Sequence, residues 1–177
     1  ATPPAVKEAR ATCLVHTILD PPMVPVLAMD VRSWSVSPDG RFVALGLHTP
    51  RLDLPDRCAL VYDFETSRWL NELPTRGLAQ VRFSPRGKFL AVHSGETLEC
   101  RIFETASWKL VTTINSKSLG IFSPDETLFA IACGAGDVSL RKDSELREFA
   151  RLSGPDVETF HPLFFAGDNS RLYACNS

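Results

Sequence analysis

The chain has 177 residues, 44% of them hydrophobic and 23% charged, with 19 basic and 21 acidic side chains for a formal charge of −2. This is the composition of one globular domain with a substantial core. No apolar run reaches the roughly 18 residues of a membrane-spanning helix, and with no basic block and no net positive charge nothing attracts nucleic acid or an anionic membrane.

In chain order, Thr2–Ala11 opens on two prolines and reads as a short helix with proline in its first turn. Cys13–Leu19 reads as a strand ended by Pro21-Pro22. Residues 1–29 are therefore taken as an N-terminal segment carrying a leading outer strand. From there on the sequence repeats itself. Ser37-Pro38-Asp39-Gly40 returns as Ser84-Pro85-Arg86-Gly87, as Ser123-Pro124-Asp125-Glu126 and, faintly, as Ala166-Gly167-Asp168-Asn169, at intervals of 47, 39 and 43 residues. Proline presets φ for a type I turn, Asp tolerates the next position, and the glycine of the first two copies can take positive φ. Each copy is thus a hairpin turn. An aromatic residue or Val precedes it (Val36, Phe83, Phe122, Phe165), and a short apolar run follows it (Phe42–Leu45, Phe89–Val92, Leu128–Ile131, Leu172–Ala174). These runs are nearly continuous in apolar residues and too short for helices, the pattern of strands covered on both faces.

A third strand follows in each unit at Ala59–Tyr62, Leu98–Phe103 and Val138–Leu140. A more polar fourth follows at Arg68–Leu73, Trp108–Ile114 and Leu146–Leu152. Units of about 40 residues that cannot bury both faces alone must stack on one another. The expected fold is all-β: a β-propeller of four-stranded antiparallel blades, three full blades plus partial ones, at about residues 30–74, 75–114, 115–153 and 154–177 (partial).

These residues resemble the WD-repeat β-propeller family. Tyr62-Asp63 and Phe103-Glu104 stand where that family has Trp-Asp, and Leu152-Ser153-Gly154-Pro155-Asp156-Val157 stands at its Gly-His position with Pro155 in place of His. Arg141-Lys142-Asp143 occupies the third Trp-Asp position, so the blades are divergent and depend on apolar stacking. The family closes with about seven blades. Two accounts of the count stand open: a segment of a longer propeller, or a small ring in which Cys13–Leu19 completes the last blade. An unclosed stack would expose an apolar blade face and so favour self-association.

The sequence offers little chemistry. It has no Gly-x-Ser-x-Gly, His-Glu-x-x-His or calcium-loop pattern, and Gly134-Ala135-Gly136-Asp137 reads as a hairpin and not a phosphate loop. His48 and His93, each near the end of a second strand, read as turn or rim residues, and His16 and His161 as hydrogen-bonded core residues. The five cysteines are widely spaced, without a CxxC pair, and read as buried free thiols of a reducing, cytoplasmic compartment. No catalytic, cofactor-binding or metal residue is assigned, and no cofactor is expected. The most individual feature is the insertion His48–Arg57, whose His48, Arg51, Asp53, Asp56 and Arg57 are stiffened by two prolines. With Arg76 and Lys117, in the connections between units, it forms a candidate partner-binding rim; a tolerated insertion without function is the alternative. The resemblance implies a non-enzymatic scaffold for unidentified protein partners. A propeller enzyme of hydrolase or lactonase type, or a sensor propeller joined to a catalytic domain outside this chain, are the competing expectations.

Overall fold

The computed structural model describes residues 30–48, 59–73, 75–133, 137–153 and 160–176. The expected helix at Thr2–Ala11, the strand Cys13–Leu19, and Arg51, Asp53, Asp56 and Arg57 lie outside them. The described chain is all β. The first sheet holds β1 (Asp30–Val36), β2 (Phe42–His48), β3 (Ala59–Asp63) and β4 (Arg68–Leu73). The second holds β5 (Ala79–Phe83), β6 (Phe89–Ser94), β7 (Glu99–Glu104) and β8 (Leu110–Asn115). The third holds β9 (Ile121–Phe122), β10 (Leu128–Cys133), β11 (Asp137–Lys142) and β12 (Arg147–Leu152), and a fourth pairs only β13 (Phe160–Phe165) with β14 (Leu172–Asn176). Each sheet is an antiparallel meander in sequence order.

All four copies of the repeated tetrapeptide fold into the same turn. The N–H of Gly40, Gly87, Glu126 and Asn169 donates to the carbonyl of Ser37, Ser84, Ser123 and Ala166 respectively, at 2.8–2.9 Å. The fourth position is left-handed in each, at φ 74°, 79°, 62° and 59°, so Glu126 and Asn169 adopt a conformation that glycine takes without steric cost. The serine closes the turn a second time: Ser37, Ser84 and Ser123 Oγ accept the N–H of Phe42, Phe89 and Leu128 at 2.8–2.9 Å. The aspartate closes it a third time, Asp39, Asp125 and Asp168 each accepting the N–H two residues on at 3.0 Å.

The second copy has Arg86 where the others have Asp, and its acceptor comes from the neighbouring sheet. Glu126 Oε1 takes the N–H of Arg86 at 2.6 Å and of Lys88 at 3.4 Å. One sheet thus completes the turn of the next.

Burial explains the apolar runs. All six residues of β6 are buried. Leu90 and Val92 pack toward the first sheet with Ala44, Val61, Val81 and Phe83. Phe89 and Ala91 pack toward the third with Phe122, Phe129 and Ile131. The third sheet meets the fourth through Ile121, Ala130 and Phe165. Gly120 is required here, because a Cβ at that position would stand 2.2 Å from the tip of the Phe129 ring. The outer strands are polar as expected, and β12 is almost wholly exposed.

The third and fourth strands pair with a register shift at one repeated place, Val61/Tyr62, Ile102/Phe103 and Leu140/Arg141. The turn that follows ends on a left-handed residue in each sheet: Ser67, Trp108 and Leu146. This moves Trp108 out of the fourth strand, where sequence pattern had put it, into the turn; β8 starts at Leu110.

Candidate functional site

The first strands of the sheets position a concave surface that several sheets build together. β1 and β5 run side by side. Ser33 Oγ accepts the Val81 N–H at 3.1 Å and Ser35 Oγ accepts the Phe83 N–H at 3.0 Å, so side chains satisfy the N–H groups that an edge strand would otherwise leave open. Along these strands lies an open cleft of about 500 Å³. Arg32, Trp34, Gln80, Arg82, Ser118 and Pro162 line it, from three of the sheets and the connection that leads into β9. No carboxylate is among its described lining residues. Arg82 is exposed, and no hydrogen bond or ion pair is assigned to its guanidinium among the described residues. Ser118 Oγ is buried without a hydrogen-bond partner, a cost of about 1–3 kcal/mol unless a ligand or solvent satisfies it. A second hollow of about 380 Å³ shares Arg32 and Gln80 and adds His48 and Leu78.

Of the described residues that the sequence singled out, His48 lines the second hollow. Arg76 and Lys117 are exposed in the connections before β5 and β9 and are not among the lining residues of the cleft. The Arg76 carbonyl accepts the Ser94 hydroxyl at 2.7 Å.

His93 is a correction. It is no rim residue but is buried at 4% exposure, and it stands two residues earlier in its strand than His48 does in β2, opposite Gln80 and Cys100. Its Nε2 lies 3.1 Å from the Ser116 carbonyl, which can only accept, so Nε2 carries the proton. Burial pushes its pKa below 6.5, against the pull of that hydrogen bond. Ser116 Oγ in turn donates to the Ala132 carbonyl at 2.6 Å, so the neutral imidazole braces the connection between the second and third sheets. The side chain of His161 lies outside the described residues, as do His16 and Gly134–Gly136; the strands flanking the latter pair as a hairpin, Cys133 opposite Asp137.

Asp63, at the first Trp-Asp position, is buried and pairs with Arg41 at 3.0 Å, whose hydrogen bonds hold its carboxyl below the usual range. Asp125 is held at about 2 by hydrogen bonds from Ser123 and Thr127. Both carboxylates serve turns. The cysteines split: burial pushes the Cys100 thiol up to about 12, Cys133 is half-buried and Cys175 exposed, so the reading of buried thiols holds for Cys100 and fails for Cys175. Cys13 and Cys58 lie outside the described residues. Among the described residues no three His, Cys, Asp or Glu side chains gather as metal ligands would.

No protein-family signature and no curated protein matches the sequence. The structure is similar to a solved chain of hydrazine synthase from Kuenenia stuttgartiensis, a β-propeller-containing protein, with a TM-score of 0.60 at 17% identity. The match covers 81% of this chain and 41% of that one, so the chain spans about two fifths of the solved chain's length. The sheets are propeller blades, three full and one partial. At this identity the likeness is one of fold. The first strand of each blade is the inner one, and the cleft is lined by β1, β5, β13 and the connection that leads into β9.

The inner-strand cleft was missed from sequence. Its signal is the alternation of β5, in which Ala79, Val81 and Phe83 are buried while Gln80 and Arg82 are exposed. A strand that alternates beside one buried at every position marks the face left open.

Proposed function

We propose that the chain is a non-enzymatic protein-interaction module, a scaffold on divergent WD-repeat-like blades, that holds a protein partner along its inner strands. The observation that supports this most is the cleft in which an exposed Arg82 stands beside Gln80 with no carboxylate among the described lining residues. Arginine is enriched among residues that dominate binding energy, and a rigid strand holds it in place without the cost of ordering a loop. His48, which lines the neighbouring hollow with Arg32 and Gln80, extends the surface, and Arg76 and Lys117 stand exposed in the connections before β5 and β9. The free thiols at Cys100, Cys133 and Cys175 support a cytoplasmic placement.

The test is comparative affinity purification of the wild-type chain, Arg82→Glu in the cleft, and Ser144→Arg in the turn between β11 and β12, outside the cleft. A partner lost by about tenfold or more with Arg82→Glu and retained with Ser144→Arg supports the reading. Identical partner sets for all three overturn it.

A further inference from the structure

The polar groups that the cleft leaves over are mostly donors. Arg82 and Ser118, in the two middle blades, carry the argument. The exposed Arg82 guanidinium has no assigned hydrogen bond or ion pair among the described residues; it holds five N–H donors, no acceptor and a permanent charge. Ser118 is fixed through its backbone, its N–H donating to Ser116 Oγ at 3.1 Å and its carbonyl accepting from the same hydroxyl at 2.9 Å. Its own Oγ is buried and has no partner. Ser35 Oγ accepts the Phe83 N–H at 3.0 Å and keeps a proton to give. Gln80 can serve either way. All four line the cleft, with no carboxylate among its described lining residues. What meets such a surface brings acceptors and negative charge. A carboxylate does both, and its two oxygens match the guanidinium fork with parallel hydrogen bonds.

The geometry also says what carries that carboxylate. Small-molecule sites bury most of their ligand, whereas this cleft is open, so the acid needs a larger body to supply contact area. The inner edge of β5 cannot take an added strand at Val81 or Phe83, because Ser33 and Ser35 already hold those N–H groups. A segment docked here is therefore held by its side chains. With 21 acidic against 19 basic residues the chain has no general pull on a polyanion such as nucleic acid. Phosphorylated segments are recognised by clusters of arginines, where this cleft offers one guanidinium without an assigned partner among the described residues.

We propose that the cleft takes an acidic peptide segment of the protein partner, with a Glu or Asp carboxylate on the Arg82 guanidinium and a hydrogen bond from the segment to the Ser118 hydroxyl. This rests on the reading of the cleft as a partner site and adds the chemistry of what is bound there.

The experiment is an array of random peptides of about ten residues, with and without phosphoserine, probed with the whole chain as wild type, Arg82→Glu and Ser118→Ala. The best peptide is then titrated by fluorescence anisotropy, alongside versions in which each carboxylate in turn becomes the amide. The wild type is expected to retain peptides enriched in Glu and Asp, and one carboxylate-to-amide change to weaken binding by about tenfold or more. Arg82→Glu is expected to lose the acidic set while melting with the wild type, since the side chain is exposed. Ser118→Ala is expected to bind about threefold more weakly or worse while melting no lower than the wild type, because it loses a hydroxyl that folding leaves unpaired. A wild type that retains nothing, or that favours neutral, basic or only phosphorylated peptides, overturns the proposal. So does an acidic peptide bound equally well by Arg82→Glu or by Ser118→Ala. Loss of the cellular partner with Arg82→Glu, together with a preference of the wild type for neutral or basic peptides, leaves the cleft a partner site and overturns this inference alone. Identical partner sets for wild type, Arg82→Glu and Ser144→Arg overturn the reading on which it rests.

Discussion

Strands β6 and β5 are neighbours in one sheet, yet they behave as different kinds of structure. Every side chain of β6 is buried, half toward the first blade and half toward the third. β5, one strand inward, buries Ala79, Val81 and Phe83 and leaves Gln80 and Arg82 in the open. The second strands are where blades hold one another; the first strands are where a blade has side chains left to offer. The stabilising strand and the proposed recognition strand therefore sit about 5 Å apart, the spacing of adjacent strands.

The sharpest way to break this contrast is to truncate one ring from each class. Phe129 of β10 is fully buried between Phe122 and Ile131, so Phe129→Ala should cost about 3–5 kcal/mol in urea unfolding. Trp34→Ala on β1, with its ring mostly in solvent, should change stability by no more than about 0.5 kcal/mol. Equal losses would erase the distinction between the two strands.

His93 sharpens the contrast by its charge. It is a titratable group on a buried second strand, and burial lowers its pKa below 6.5. A depressed folded pKa contributes stability that is fully present above the unfolded value and is lost as pH falls through the folded one. Thermal stability of the wild type should thus drop as pH falls from neutrality past 6.5, and His93→Gln should remove that part of the drop.

The smallest expected effect concerns the turns. Glu126→Gly should relieve a left-handed backbone by about 1 kcal/mol yet strip the Arg86 and Lys88 N–H groups of their acceptor, leaving little net change. In an Arg86→Asp background the second turn carries its own acceptor, and Glu126→Gly should then stabilise by about that amount. Chemical denaturation of the four proteins in this cycle measures it; a change of equal size in both backgrounds would show that the bond between blades contributes nothing.

What the sequence disclosed follows the same division. The blades were legible because Ser-Pro-Asp-Gly has a backbone meaning of its own and because strands covered on both sides must be apolar at every position, as Phe89–Val92 are. Even the faint fourth copy, lacking both Ser and Pro, folds into the same turn, because Asp168 and the left-handed Asn169 retain the parts that close it. The candidate site was less legible. Its members come from four blades, 130 positions apart between Arg32 and Pro162, and no local pattern joins Arg32 to Arg82. His93 was misread because a histidine near the end of an apolar strand has the same sequence appearance at a rim as under a neighbouring sheet. Trp108 was misplaced because a repeated register shift, not its β-propensity, decides where the outer strand begins.

The carboxylate that Glu126 lends to the second turn makes the second and third blades a pair that cannot be parted cleanly. A fragment cut between them would carry a hairpin with two amide donors stripped of their acceptor, and a transplanted second blade would need an aspartate at Arg86 to stand on its own. Chain dissection, circular permutation or exchange of single blades should therefore respect this couple and cut on either side of it.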